Sequence, residues 1–200
     1  MKTITISRQY GSGGREIAKM LSEEIGIPFY DSDLLAIASE KYGISPGLMA
    51  EYDERKSSSF LYGIAMLADG ITSQEKIMLP YKLFQAQKET MIRLAEEGPC
   101  IFVGRCADYI LKEQKRILKV YVYCSSMEKR INRIMERDKV SQREAPGRIA
   151  QRDRERKDYY YFHTGQEWGD MKNYDICLNT AMLSYKDCTK VIRNLLQEKG

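Results

Sequence analysis

Gly11, Gly13 and Gly14 fall in the segment SRQYGSGGRE, between the β-branched alternation Thr3-Ile4-Thr5-Ile6 and a stretch where Ile17, Met20, Leu21 and Ile25 recur at helical spacing. Glycines at a strand-to-helix junction let backbone N–H groups converge on a phosphate, and the helix start adds the positive end of its dipole. A tight turn with no ligand is the alternative. A standard phosphate loop reads G-x-x-x-x-G-K followed by Ser or Thr; here both the lysine and the hydroxyl are missing. If Gly13 closes the loop, Gly14 takes the lysine place. If Gly14 closes it, Arg15 takes that place and Glu16 replaces the hydroxyl. Arg15 supplies charge in the second register, as a planar fork rather than a flexible point charge.

Other chemistries are limited by composition. His163 is the only histidine, so multi-histidine metal sites are impossible and a Ser/His/Asp triad would rest on that one residue. Cys100, Cys106, Cys124, Cys177 and Cys188 are odd in number and never form Cys-x-x-Cys, which argues for reduced core thiols. No metal-ligand set is assigned. The net charge of +4 is concentrated: residues 128–158 hold eleven basic and seven acidic side chains, leaving 21 of each sign elsewhere. Such a cluster meets a polyphosphate, meets nucleic acid, or is a solvated helical face with i,i+4 ion pairs. Nucleic acid is the weakest of these, because no helix-turn-helix or RNA-binding signature accompanies it.

The elements that must position these residues read as one α/β domain. Two hundred residues suit a single core. After the glycine loop, Gly26 stops the first helix, and Ile27-Pro28-Phe29-Tyr30 gives a short strand leading to Asp31. Helical pieces follow from Leu34 to about Gly43 and from Ser45-Pro46 toward Arg55, and 56–73 is an undecided excursion. A long helix is expected from about Pro80 to Glu97, then a buried strand Cys100–Val103 ending at Gly104-Arg105. Ile117 to Cys124 is another strand, and Ser125-Ser126-Met127-Glu128 offers a capping box to the next helix. A basic helix around 141–158, a strand at Asp175–Asn179 and a tail helix complete the chain. Strands alternating with helices imply a parallel sheet covered on both faces, with ligands beyond the C-terminal strand ends. No apolar run approaches the roughly 20 residues needed to span a bilayer, and the N-terminus has no export pattern, so a cytoplasmic chain is expected.

The segments ISRQYGSGGREIA, IPFYDSDLL, FVGRCADYIL, RIAQRDRERKDYY and NYDICLNT, in that order, resemble the cytidylate kinase-like family, relatives of nucleoside monophosphate kinases. The resemblance covers nearly the whole chain. It implies a three-layer P-loop fold with a five-stranded parallel core, a monophosphate-binding helical insertion at about 31–97 and a mobile arginine-rich lid at about 139–162, within one domain over 1–200. It further implies ATP and Mg²⁺, transfer of the γ-phosphoryl group to CMP, dCMP or a related small acceptor, and a donor site of Gly11, Ser12, Gly13, Gly14 and Arg15. Asp31 and Arg105 match acceptor-binding positions, and Asp108 lies close to them. Arg148, Arg152 and Arg156 match lid arginines, and their i, i+4, i+8 spacing lets them share one helical face; surface ion pairing is the alternative for all three. For Asp31 the alternative is an ordinary helix N-cap.

Two departures bear on the acceptor. Cys106 stands where cytidylate kinases have an aspartate after the glycine-arginine pair, and the arginine expected shortly after Asp31-Ser32 is missing, with Ile37 near that place. Both weigh on cytosine recognition more than on phosphate binding. The absent lysine keeps open a second reading, a nucleotide-binding regulator that has lost transfer.

Overall fold

The computed structural model describes residues 2–31 and 73–197. The expected helical pieces between Leu34 and Arg55, and all but the end of the 56–73 excursion, lie outside the described residues. Five strands form one sheet: β1 (Thr3–Arg8), β2 (Phe29–Tyr30), β3 (Ile101–Val103), β4 (Ile117–Tyr123) and β5 (Ile176–Asn179). Their order is β2-β3-β1-β4-β5 and every neighbouring pair is parallel. The described helices are α1 (Gly14–Ile25), α2 (Ser73–Glu97), the short α3 (Ala107–Ile110), α4 (Met127–Asp138), α5 (Ala145–Thr164) and α6 (Tyr185–Gln197). The result is the expected three-layer α/β arrangement.

β1 lies at the centre, and its Thr/Ile alternation does not mark a solvent face. Ile4 and Ile6 are fully buried, and Thr3 and Thr5 are nearly so. Ile17, Ala18 and Leu21 of α1 and Cys188 and Ile192 of α6 join Ile4 and Ile6 in one cluster. Met91 and Leu94 of α2 close another with Phe102, Ala107 and Leu111. Burial on both sides makes the sheet a rigid floor, and it leaves the C-terminal strand ends as the place where loops can build a site.

The boundaries differ from expectation in instructive ways. α2 begins at Ser73, so Pro80 lies within the helix and does not start it; a proline forfeits one backbone bond, which a long helix packed elsewhere survives. The cap of α4 is Ser126, whose side chain accepts from the Lys129 N–H at 3.2 Å. Ser125 is engaged instead with Asn179 at the end of β5, through bonds of 3.1 and 2.9 Å. The reciprocal serine–glutamate box occurs before α5. There the Ser141 Oγ accepts from the Glu144 N–H at 3.3 Å, while the Glu144 carboxylate accepts from the Ser141 N–H at 3.0 Å. Four cysteines are buried, but Cys177 is exposed, because β5 is an edge strand and Cys177 falls on its outward side.

Candidate active site

A cleft of about 440 Å³ opens beside the C-terminal end of β1 and the start of α1. Its floor is the glycine loop. Gly11 (φ 78°) and Gly13 (φ 87°) are both left-handed, a region that costs other residues about 1–2 kcal/mol. Gly13 is the N-cap of α1 and offers no side chain to it, so first-turn N–H groups are open to water or an anion. A Cβ on Gly13 would stand 2.5 Å from the Tyr185 ring, and one on Gly14 2.6 Å from Arg8 Cβ. The Arg8 stem therefore crosses the first residue of α1.

Arginines converge on this loop from two sides. Near the C-terminal strand ends, Arg8 lies 3.6 Å and Arg15 Nε 2.6 Å from the Asp31 carboxylate, and the Arg15 guanidinium sits 5.7 Å from the Phe29 ring centroid. From the other side come Arg137 of α4 and Arg148, Arg152 and Arg156 of α5. Arg156 donates to the Arg8 carbonyl at 2.8 Å and lies 5.5 Å from the Tyr10 ring centroid. Arg152 bonds Glu155 at 2.9 Å, and Arg148 reaches Asp138 at 3.5 Å. Burial raises the Asp138 carboxyl, but hydrogen bonds from Arg137 and Tyr10 and the charges of Arg137 and Arg148 outweigh it, leaving the group below the usual carboxylate range. Six arginines and three carboxylates (Glu16, Asp31, Asp138) line the cleft. A surplus of three positive charges in a partly enclosed space suits a polyphosphate.

Most of the expected site is thus brought together: Gly11, Gly13, Gly14, Arg15, Asp31, Arg148, Arg152 and Arg156 all line one cleft. Ser12 does not; it is fully buried, and its hydroxyl donates to the Gln9 carbonyl at 2.9 Å. Arg105 and Asp108 also lie outside the lining. Gly104, Arg105 and Cys106 are three successive left-handed residues (φ 74°, 59° and 57°), and Arg105 is 3% exposed. The Asp108 carboxylate accepts from the Tyr160 hydroxyl at 2.6 Å; burial raises its pKa. Sequence reasoning missed Tyr10, Arg137 and Asp138 as parts of the site. Tyr10, an aromatic inside a glycine loop, was the one signal present.

His163 is structural. It stacks on Phe84 at 4.0 Å and meets Tyr159 edge-on at 4.5 Å. Burial pushes its pKa down to about 4 from 6.5, so between those values the unfolded chain binds the extra proton. Stability is intact above about pH 6.5 and falls as the pH drops toward 4, by up to about 1.4 kcal/mol per unit. Urea titrations at pH 7 and pH 5 should show His163→Phe losing less stability than the parent; equal losses would dismiss this account. Trp168 is structural too, its indole N–H donating to Ser7 Oγ at 3.0 Å and its ring edge-on to Tyr121.

A sequence profile described as the Cytidylate kinase-like family matches residues 3–182. The chain belongs to the cytidylate kinase-like family. Within it, the chain is similar to a protein named cytidylate kinase from Sulfolobus acidocaldarius, 24% identical over 199 residues, covering 98% of this chain and 95% of that one. Among solved structures, an uncharacterized protein from Eubacterium ventriosum is similar with a TM-score of 0.73 and 24% identity, each chain fully covered. A shikimate kinase from Bacteroides thetaiotaomicron has a TM-score of 0.54 at 12% identity, covering 98% of this chain and 99% of that one. A gluconokinase from Sinorhizobium meliloti has a TM-score of 0.52 at 13% identity, covering 98% and 94%. These likenesses establish the fold. Among the described residues, no helix is long and apolar enough to cross a membrane.

Proposed function

We propose that this cytidylate kinase-like protein is an ATP-dependent nucleotide kinase that moves the γ-phosphoryl group to a nucleoside monophosphate, with CMP and dCMP the first acceptors to test. The observation that carries the reading is the convergence of arginines from β1, α1, α4 and α5 on a left-handed glycine loop. Phosphoryl transfer depends chiefly on positioning and on stabilising charge, with little covalent work for the protein. The loop N–H groups hold the donor phosphates, Arg8 and Arg15 flank them, and the α5 arginines face the group in flight. Arg105 is assigned to the acceptor phosphate. Its support is the run of left-handed residues, strain of a kind that gathers at functional sites.

α1 opens at Gly14, directly after left-handed Gly13, which favours the register with Gly14 in the lysine place. Arg8, whose stem packs against Gly14, is then the compensating cation. Arg15 is half exposed and already paired with Asp31. Arg15→Ala is accordingly expected to weaken ATP binding by only about tenfold, the low end for a charge-assisted contact, and calorimetry checks this. A loss beyond a hundredfold would return Arg15 to the lysine role.

The cleft fits ATP phosphates. Among the described residues it has no dedicated Mg²⁺ cage, since Glu16 pairs with Arg133 at 2.6 Å and Asp31 and Asp138 are held by arginines. The ion, which neutralises phosphate charge when bound, would travel on the nucleotide's own oxygens and on water. A second reading, a regulator that binds nucleotide without transfer, is favoured by Gly14 standing where the lysine belongs. Incubating the protein with ATP·Mg²⁺ and a panel of monophosphates, and following ADP and the new diphosphate, separates the two. Turnover with one acceptor supports the kinase, and tight ATP binding with no turnover supports the regulator.

A further inference from the structure

The main chain of Tyr10, in the middle of the glycine loop, is held at both polar atoms by two different helices. Its N–H donates to Asp153 Oδ1 of α5 at 2.8 Å, and its carbonyl accepts from Arg130 Nε of α4 at 2.8 Å. Arg130 and Asp153 close the ring through an ion pair between the Arg130 guanidinium and Asp153 Oδ2. The Arg130 side chain is 6% exposed and that of Asp153 21%, so water competes little for these bonds. The Tyr10 hydroxyl donates to Asp138, and Arg137 and Arg156 lie 4.6 and 5.5 Å from its ring centroid.

We propose that Asp153 is a positioning residue that couples α5 to the phosphate loop, so that an anion held by the loop fixes Arg148, Arg152 and Arg156 in register with it. Asp153 does not line the cleft. It lies one residue beyond Arg152 and three before Arg156, on the same helix, and it takes the Tyr10 N–H directly. Removing its carboxylate leaves the α5 arginines present, with the Arg156 bond to the Arg8 carbonyl remaining, and loosens their register with the phosphates. A displacement of about 1 Å costs up to roughly a hundredfold in turnover. The coupling holds for any bound polyphosphate; only its effect on turnover rests on the kinase reading above.

The test uses the full chain and two readouts. In the first, inorganic tripolyphosphate is the probe and amide hydrogen exchange of residues 145–160 is followed. Saturating probe should slow exchange in the parent, and slow it much less in Asp153→Ala although the probe still binds. In the second, steady-state kinetics with the productive monophosphate should show Asp153→Ala lowering kcat by about a hundredfold with KM for ATP changed by less than about threefold. Asp153→Asn, which keeps an oxygen facing Tyr10 N–H, should recover most of both. Equal probe-induced protection in the parent and Asp153→Ala would overturn the coupling, as would a parent whose α5 exchange ignores the probe. Absence of turnover in the parent would refute the kinase reading alone and leave the exchange result to decide the coupling. Should Asp153→Ala fail to fold, the double variant Arg130→Met/Asp153→Leu, which replaces the buried pair by apolar side chains of similar size, carries the same comparison, and a parental exchange response in it would equally overturn the coupling.

Discussion

Arg8→Ala is expected to lower kcat/KM for ATP by about 100- to 1000-fold, the loss typical of removing one preorganised donor to a charged transition state. The substitution leaves the backbone carbonyl that receives Arg156 intact, so a loss reports the guanidinium and not the docking of α5. The companion variant is Gly14→Lys, which writes the missing lysine back into the loop. Alone it should not improve binding, because its Cβ would meet Arg8 Cβ at 2.6 Å, and neither atom is the free end of a flexible chain. Combined with Arg8→Gly, which removes that Cβ, the nearest remaining atom is Val122 Cβ at 3.3 Å, and part of the lost activity should return. Parental kinetics in Arg8→Ala would sink the idea that Arg8 stands in for the lysine.

Gly13→Ala should destabilise the fold by about 3 kcal/mol, the sum of left-handed strain and overpacking. The backbone there has φ 87°, and a methyl group would stand 2.5 to 2.6 Å from ring atoms of Tyr185. That ring has little freedom to leave, since its hydroxyl bonds Arg133, whose guanidinium lies 4.9 Å from the ring centroid. Tyr185→Ala removes the collision and keeps the strain, so in urea denaturation Gly13→Ala should cost roughly half as much on the Tyr185→Ala background as it does in the parent. A Gly13→Ala protein as stable as the parent would show that the loop adopts another backbone conformation. An equal cost on both backgrounds would assign the whole of it to strain.

What was legible in the sequence was local. The alternation in Thr3–Ile6, the helical spacing of Ile17, Leu21 and Ile25, and the stop at Gly26 are properties of adjacent residues, and each reappears in place. The i, i+4, i+8 spacing of Arg148, Arg152 and Arg156 likewise lets them share one helical face, and all three line one cleft. The misses involve partners far apart in the chain. Ser125 fits the capping-box pattern, yet Asn179, 54 residues on, claims it. Asp108 looked available for substrate until Tyr160 took its carboxylate. Tyr10 could not be read as a junction because its partners, Arg130 and Asp153, lie 120 and 143 residues away. Spacing predicts which residues share a face of an element; it is silent on which face meets which.

The strand order has a consequence for how the chain is made. β1 is translated first but belongs in the middle of the sheet, with Ile4 beside Ile101 on one flank and beside Leu118 on the other. At roughly 5–20 residues per second of synthesis, its first neighbour is completed on the order of 5–20 s after it. Throughout that interval a β-branched strand exposes both edges, the condition under which nascent chains pair with one another. The segment available early to shield it is α1, whose Ile17 and Leu21 share a cluster with Ile4 and Ile6. A strand–loop–helix hairpin formed around the glycine loop would therefore protect the emerging chain long before the rest of the sheet exists.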